Sequence, residues 1–340
     1  MNLVTGATGL LGSHIVEQLR AAGEPVRALV RPSSDIRALE SFGGVEFALG
    51  DVTDAASIRD AMKGVTTVYH SAAAVGDWGN WEKYFVPVTI GGTRNMIEAA
   101  QAEGVARFLH VSTISAYGHI KGKDVVDESY PLGELGKNLK KWSYYSRAKV
   151  EAEKVVWAAW ENDELPVTVA KPSWLYGPRD RASMPRIIKA LRTGKCKLIG
   201  DGSNPLNLTY AGNEAEGCIL AATKECGVGQ KYNLSSDGHI TLAGYFNKIA
   251  ECIGAKPVTK RVPYWLAYRA GFMMECFGRL MGRKTPPLVT RYSTWLMGRK
   301  CFFSPEKART ELGWTPTVGY DEGIQRSVRW CLDNVEGLDK

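Results

Sequence analysis

The chain has 340 residues, 44% hydrophobic and 23% charged, a composition typical of a globular enzyme with one large domain or two unequal ones. Its net charge is +7, but it has no long block of lysine and arginine, so we expect a small-molecule partner and no nucleic acid. Seven scattered cysteines without a C-x-x-C pair argue against a disulfide framework and a zinc site, and no metal is predicted. The start MNLVTG lacks the features of a secretion signal, so a cytoplasmic protein is expected.

The first predicted elements are a short strand, a glycine turn and a helix, in the stretch LVTGATGLLGSHIVEQL. Apolar residues recur at helical spacing from Leu11 to Leu19. Such a turn lets the backbone approach a diphosphate closely, and the following helix offers unpaired N–H groups. Glycines also serve ordinary tight turns, so the triplet alone does not decide. The residues predicted to contact a dinucleotide here are Gly6, Thr8, Gly9, Leu10, Leu11 and Gly12.

The end of the second predicted strand, 26–30, bears on the choice of cofactor. A site specific for NAD places a carboxylate there to bind the adenosine ribose, and none is present. Arg31, Ser33 and Ser34, with Arg37 as a further candidate, instead offer a cation and hydroxyl donors to a 2′-phosphate. The sequence therefore favours NADP(H) over NAD(H), with a merely solvated Arg31 as the alternative.

A third strand, 45–49, leads into LGDVTD. Asp51, followed by Val52, is the candidate to hydrogen-bond the adenine edge. An aspartate at a strand end also commonly serves a turn or a helix cap, and both interpretations remain open.

Further β-rich runs alternate with helix-like segments along the first half of the chain, at 67–70, 107–112 and 167–171. This alternation predicts an α/β fold, a Rossmann-type doubly wound parallel sheet with a smaller, mostly helical C-terminal substrate domain. We assign residues 1–172 plus about 208–236 to the NADP-binding domain. Residues 173–207 plus 237–340 form the predicted substrate domain.

The segment YSRAK contains a candidate catalytic pair. Tyr145 and Lys149 are spaced i, i+4 on a predicted helix, so both side chains lie on one face. A lysine beside a phenol favours the phenolate and is expected to lower the pKa of Tyr145 toward neutrality. Such pairs also occur by chance. A second hydroxyl donor for a carbonyl oxygen is offered by HVSTISAYG, at Ser112, Thr113 or Ser115.

Six motifs, in this order, resemble those of the extended short-chain dehydrogenase/reductases, the NAD-dependent epimerase/dehydratase superfamily: TGATGLLG, GDVTD, VYHSAA, VSTISAYG, YYSRAK and KPSWLYGP. The stretches AAAVGDWGNWEKY and FFSPEKARTELGW look most like the branch of 3β-hydroxysteroid dehydrogenases, sterol C4-decarboxylating dehydrogenases and β-keto acid reductases. The resemblance implies an NAD(P)-dependent oxidoreductase acting on CH–OH or C=O groups.

The resemblance also implies individual roles. It places the catalytic hydroxyl at Thr113, with Ser112 as the second choice, beside Tyr145 and Lys149. Homodimers that pack through the Tyr145 helix are common in this family, so a homodimer is expected. The further cofactor contacts it implies are Ser112, Tyr145 and Lys149, together with His70, Ala72 and Ala73 near the adenosine ribose and diphosphate, and Pro172 and Ser173 near the nicotinamide.

Some positions leave the implied roles open. His70 is equally readable as a packed strand residue. Thr89 stands where the family usually has asparagine, Lys171 replaces arginine, and Asn213 replaces aspartate. The first departure puts the proton path behind Lys149 in doubt.

The stretch YWLAYRAGFMMECFGRLMG is a strongly apolar helical segment in a region with ten basic residues and one acid, Glu275, between 256 and 300. A cap over an apolar pocket would bury Trp265, Tyr268, Phe272 and Met273 against the substrate. An interfacial helix would lay the same face on a membrane surface as a peripheral contact. Plain core packing is the third interpretation.

Together, these features predict an NADP(H)-dependent oxidoreductase that transfers hydride between nicotinamide and a secondary alcohol or ketone of a bulky apolar substrate. Steroid-like, terpenoid and long-chain β-keto acid substrates all fit. A nucleotide-sugar epimerase or dehydratase is the first alternative, disfavoured by Arg31 and the aromatic C-terminal region. A non-catalytic NADPH-binding regulator is the second, disfavoured by the intact set Thr113, Tyr145 and Lys149.

Overall fold

The computed structural model describes residues 1–338 except Asp77, Lys121, Lys123, Asp124, Asp163, Glu164 and Asp237. The strands are β1 (Asn2–Thr5), β2 (Val26–Val30), β3 (Val45–Leu49), β4 (Thr67–His70), β5 (Arg107–Val111), β6 (Val125–Val126), β7 (Val167–Pro172), β8 (Trp174–Tyr176), β9 (Leu198–Ile199), β10 (Leu208–Tyr210), β11 (Gln230–Leu234), β12 (Arg261–Val262) and β13 (Phe302–Phe303).

The α-helices are α1 (Leu10–Ala21), α2 (Arg37–Glu40), α3 (Ala55–Met62), α4 (Gly92–Glu103), α5 (Tyr144–Glu161), α6 (Met184–Arg192), α7 (Ala211–Thr223), α8 (Leu242–Cys252), α9 (Tyr264–Leu280), α10 (Arg291–Gly298), α11 (Glu306–Leu312) and α12 (Tyr320–Asn334). Short 3-10 turns cover Ile114–Tyr117 and Glu225–Gly227, and Trp81–Gly91 is π-helical.

A seven-stranded parallel sheet forms the centre, in the order β11-β7-β5-β4-β1-β2-β3. Its strands are apolar runs because helices cover both faces, as a parallel sheet requires. On one face α1 and α7 pack through Ile15, Leu19 and Cys218, and on the other α3, α4 and α5 contribute Ile58, Met96 and Val156. This architecture confirms the predicted α/β, doubly wound fold.

A second apolar cluster lies in the C-terminal part of the chain. Ile188 of α6, Ile249 of α8 and Val328 of α12 are buried together there. Three parallel two-stranded sheets lie outside the main sheet, β10-β8, β12-β9 and β13-β6. The third joins the C-terminal part of the chain to the segment between β5 and α5. Strand β11, from within 208–236, forms an edge of the main sheet beside β7. The division into two domains stays a prediction.

None of the helices formed by the described residues is both long enough and apolar enough to cross a membrane.

Candidate active site

The glycine turn between β1 and α1 is packed too tightly for side chains. Gly6 has a φ of +64°, and a Cβ there would lie 2.9 Å from the amide nitrogen of Ala72. A Cβ on Gly12 would lie 2.3 Å from the carbonyl oxygen of Gly6. Gly9 is the N-cap of α1 and contributes no side-chain cap. The first N–H groups of α1 are therefore left for a ligand.

The surroundings of this turn fit the diphosphate of a dinucleotide. Thr8 and Gly9 are exposed at its rim, Leu10 is half-buried, and Leu11 is buried beneath it. Ala72 and Ala73, which follow β4, are half-buried, and the N–H of Ala72 donates to the Thr5 hydroxyl at 3.2 Å. Small residues on both sides leave backbone rather than side chains at the carboxyl ends of β1 and β4.

Arg31 lies at the carboxyl end of β2 in a tight turn. Its N–H donates to Ser34 Oγ at 3.1 Å, and Ser33 is exposed beside it. The Arg31 guanidinium is exposed and forms no ion pair within the described ranges. Arg37 instead pairs with both oxygens of Asp35, at 2.9 and 2.8 Å. Arg31 is thus available to an anion in a way that Arg37 is not.

Asp51 serves a turn after β3. Its Oδ1 accepts from the N–H of Thr53 at 2.9 Å and from the Thr53 hydroxyl at 2.8 Å. Val52 is buried, and its carbonyl accepts from Asn95 at 2.9 Å. The turn interpretation of Asp51 therefore holds in the structure, and its role toward adenine stays a prediction.

His70 is packed at the end of β4. The residue is fully buried, and its ring nitrogens contact the hydroxyls of Thr5 at 2.8 Å and Thr93 at 3.0 Å. Burial and the nearby Lys149 lower its pKa to about 3, so the ring is neutral. The interpretation of His70 as a packed strand residue therefore holds in the structure, and its contact with the adenosine ribose stays a prediction.

The predicted catalytic hydroxyls lie together. Thr113 follows β5, and its hydroxyl acts on that of Tyr145, the second residue of α5. Thr113 Oγ1 accepts from the N–H of Ser115 at 3.2 Å, so its own proton is free to point to the phenol. Burial and the neighbouring Tyr292 raise the pKa of Tyr145 by more than the Thr113 hydroxyl lowers it. The lowered pKa expected from the sequence is wrong for this structure, where the phenol is held in its neutral form.

Lys149 lies one helical turn below Tyr145 on the same face of α5. Its ammonium is buried and donates to the carbonyl of Val111 at the end of β5, at 2.7 Å. Burial lowers its pKa to about 8, while the negative charge of Glu153 raises it. This contact fixes α5 against the strand that carries Thr113.

Ser112, the second choice for the catalytic hydroxyl, points elsewhere. Its hydroxyl donates to Glu153 Oε2 at 2.5 Å, and both carboxylate oxygens of Glu153 accept from the Lys171 ammonium at 2.6 and 2.7 Å. Glu153 and Lys171 are fully buried. Ser112 is therefore engaged in a buried polar network, which leaves Thr113 as the hydroxyl beside Tyr145.

Pro172 ends β7, and the Ser173 hydroxyl lies 2.7 Å from that of Thr209. Thr89, which stands where the family usually has asparagine, accepts a hydrogen bond through its hydroxyl from the N–H of Ala74 at 3.0 Å. The amide of Asn213 holds the segment after α11 by accepting from the N–H groups of Thr317 and Val318.

Tyr292 of α10 was not among the site residues predicted from the sequence. Its hydroxyl lies 3.4 Å from Ser115 Oγ, and its ring packs edge-on against Tyr145 with centroids 6.4 Å apart. No local pattern reveals this contact, because 177 residues separate Ser115 from Tyr292. Glu153 was also missed, although its i+4 spacing from Lys149 was a usable signal.

Helix α9 exposes most of the large apolar side chains that its sequence pattern singled out. Trp265, Phe272 and Met273, which core packing would bury, are exposed. Tyr268 alone of the four expected residues is half-buried, with its ring 6.2 Å from that of Trp142. Packing of these three side chains into the protein core is therefore wrong, whereas the cap over an apolar pocket and the interfacial role stay predictions.

Comparison with known proteins agrees with this geometry. The profile of the NAD dependent epimerase/dehydratase family matches residues 2–235. The chain is 31% identical to 2-alkyl-3-oxoalkanoate reductase of Shewanella oneidensis, covering 95% of this chain and 84% of the relative. It is 29% identical to the decarboxylating sterol-4-alpha-carboxylate 3-dehydrogenase of Mus musculus, covering 96% and 89%.

The fold also matches a solved structure over nearly its whole length. The crystal structure of gox2253 superimposes with a TM-score of 0.81 at 30% identity, covering 98% of both chains. The family match covers the glycine turn after β1, Thr113 after β5, and Tyr145 and Lys149 on α5. The strands β1 and β5 are parallel and are separated by β4 alone, so their carboxyl ends lie at the same edge of the sheet. The chain therefore belongs to the NAD-dependent epimerase/dehydratase family, the extended short-chain dehydrogenase/reductases, and is an NAD(P)-dependent oxidoreductase.

Proposed function

We propose that this protein uses NADP(H) to reduce the ketone of a bulky apolar substrate to a secondary alcohol. The observation that carries the proposal is the proximity of the Thr113 and Tyr145 hydroxyls, with Lys149 anchored one helical turn away to the carbonyl of Val111 at the end of β5. The names of the relatives specify 2-alkyl-3-oxoalkanoates and sterol carboxylates, which are long or polycyclic apolar molecules that carry a carboxylate. Long-chain β-keto acids head the candidate substrates, before steroid-like and terpenoid ketones.

The residues of the site suit the reductive direction. A bound nicotinamide supplies the hydride. A ketone oxygen placed at the Thr113–Tyr145 pair accepts two hydrogen bonds, which stabilise the negative charge that develops on it. Because the raised pKa keeps Tyr145 protonated, its phenol has the proton that the alkoxide requires. The positive charge of Lys149, one turn below, stabilises the phenolate that Tyr145 becomes after it gives up its proton, and it does so more strongly in this buried position than it would in bulk water.

Replacing Tyr145 by phenylalanine tests the chemistry. We expect Tyr145→Phe to lower kcat by about a hundredfold or more, the usual contribution of a positioned proton donor, while NADPH binding is kept. Tyr144→Phe is the matched control, since Tyr144 is the preceding residue on α5 and contacts Arg279 rather than Thr113. NADPH oxidation with ketone panels and NADPH fluorescence titrations measure the two effects. Near-normal turnover in Tyr145→Phe contradicts the mechanism.

The preference for NADP(H) is proposed from Arg31, whose exposed guanidinium stands where an NAD site needs a carboxylate. We expect Arg31→Asp to raise the Kd for NADPH by about tenfold or more and to change the Kd for NADH far less, because one charge-assisted contact to the phosphate is lost. Arg59→Asp, an equal charge change on the exposed side of α3, is the control. Tight NADH binding with no response to NADPH contradicts the assignment of Arg31.

A further inference from the structure

Arg299, at the end of α10, is a buried cation without an anion. It is 6% exposed, its Nη1 has no hydrogen-bond partner, and it forms no ion pair with any described residue. Arg291, at the start of the same helix, is different, because its guanidinium binds the buried carboxylate of Glu275 at 2.8 Å. Of the two arginines at the ends of this helix, Arg291 is therefore paired with a carboxylate and Arg299 is buried without one.

The neighbours of Arg299 compensate its charge only in part. Its guanidinium lies 5.6 Å from the ring centroid of Trp295 and 5.0 Å from that of Phe303. Aromatic faces attract a cation, but they cannot accept five N–H hydrogen bonds. Burial lowers the pKa of Arg299, which reflects the cost of holding the charge there. Buried charges persist in proteins when something pairs with them.

The position of Arg299 connects it to the reacting hydroxyls. Tyr292, Trp295 and Arg299 are spaced by three and four residues, so they share one side of α10. The rings of Tyr292 and Trp295 lie 5.6 Å apart, and that of Tyr292 lies 6.4 Å from the ring of Tyr145. Aromatic side chains thus lead from the Thr113–Tyr145 pair to the guanidinium.

A second polar group without a partner adjoins the same cluster. The ring of His119 stacks on Trp295 with centroids 4.2 Å apart, and its Nε2 is buried with no hydrogen-bond partner among the described residues. Burial and the charges of Lys140 and Arg299 lower the pKa of His119 to about 4, so the ring is neutral at physiological pH. A neutral imidazole can donate one hydrogen bond to an anion without demanding a second charge.

We propose that Arg299 is the anion-binding residue of the substrate site and recognises a carboxylate close to the reacting ketone, with Tyr292 between the guanidinium and the Thr113–Tyr145 pair. The inference deepens the proposed function and rests on it. A guanidinium matches the planar geometry of a carboxylate with two parallel hydrogen bonds. The protein would then select oxo acids over neutral ketones of similar size.

The test compares a 2-alkyl-3-oxo acid with its methyl ester as substrates of the full chain. In Arg299→Met, which keeps an apolar stem and removes the charge, kcat/KM for the acid falls by about thirtyfold or more, and kcat/KM for the ester stays within about threefold. The melting temperature stays equal or rises, because an unpaired buried charge is removed. Lys300→Met, an equal charge change at the exposed neighbouring residue, leaves kcat/KM unchanged for both the acid and the ester.

Two results overturn the inference. Wild-type protein that treats acid and ester alike shows that no carboxylate is recognised, and an unchanged acid preference in Arg299→Met assigns the recognition elsewhere. Titration calorimetry with a 2-alkyl-3-hydroxy acid and its ester, in the presence of NADP⁺, measures the same preference without turnover. If no ketone is reduced, the proposed function fails, and the calorimetry still decides whether Arg299 binds the carboxylate.

Discussion

The buried pair Glu153–Lys171 is the polar feature most closely coupled to Lys149. Glu153 follows Lys149 by one helical turn on α5 and accepts hydrogen bonds from Lys171 and Ser112. Its negative charge opposes the lowering of the Lys149 pKa by burial. Glu153 is thus a positioning residue, because it contacts the strand that leads to Thr113 and stabilises the charged form of Lys149 without facing a substrate.

We expect Glu153→Gln to lower the free energy of unfolding by about 3–5 kcal/mol, because it leaves the ammonium of Lys171 buried without a counter-charge. Glu151→Gln is the matched control. Glu151 lies on the same helix and pairs with Lys154 at 2.8 Å, but both side chains are about half exposed. Such a surface pair contributes about 1 kcal/mol or less. Urea denaturation of both variants measures the difference, and equal losses would contradict the role assigned to burial.

The junction of β1 and α1 depends on close approach of backbone to backbone. Gly12→Ala places a methyl group 2.3 Å from the Gly6 carbonyl oxygen, so α1 must move away from the turn. We expect this variant to lose NADPH affinity by about tenfold or more, since the N–H groups at the start of α1 shift with the helix.

Gly91→Ala is the control for this substitution. A Cβ at Gly91 meets its nearest atom at 3.6 Å, an ordinary contact, and the backbone there is helical. NADPH fluorescence titrations of both variants, with circular dichroism to follow folding, provide the measurement. Unchanged affinity in Gly12→Ala would show that the turn does not hold the cofactor.

Helix α9 shows why an amphipathic pattern does not determine which face is buried. It packs against α10 through small residues, and a Cβ at Gly271 would lie 2.8 Å from the carbonyl carbon of Thr290. Close approach of two backbones through small residues turns the large side chains outward, and Met273 and Phe277 are 70% and 63% exposed. The sequence predicts the helix correctly, and of the three interpretations left open for its apolar face, core packing is the one that the exposure of these side chains contradicts.

Across the chain, local sequence patterns predict the secondary structure and the sheet, but they do not predict contacts between residues far apart in sequence. Alternating β-rich runs and the glycine turn are sufficient to predict the parallel sheet. Helical spacing is sufficient to predict that Tyr145 and Lys149 lie on one face of a helix. Tyr292 and Arg299 could not be placed, because α10 reaches the site only through the folding of the C-terminal part of the chain. The orientation of Ser112 toward Glu153 likewise depends on the packing of α5 against β5 and β7.

The expected homodimer is a prediction about the assembled protein. If the dimer packs through α5, Ala158→Arg places a charge on the exposed side of that helix and should give monomers. Met273→Arg, on the exposed face of α9, is the comparison. Sedimentation equilibrium of both variants distinguishes the surfaces. Dissociation by Met273→Arg alone would assign the interface to α9, and a monomeric wild-type protein would contradict the prediction.

The central claim is that this chain transfers hydride from NADPH to a ketone carbon with Tyr145 as the proton donor. The most direct measurement incubates the protein with NADPH deuterated at nicotinamide C4 and a 2-alkyl-3-oxo acid, and locates the deuterium by mass spectrometry. The account predicts deuterium at the carbinol carbon of the product with wild-type protein and Tyr144→Phe, and a rate of labelling about a hundredfold or more lower with Tyr145→Phe. Conversion of a nucleotide sugar with no net loss of NADPH, together with no labelled alcohol from any ketone, would contradict it.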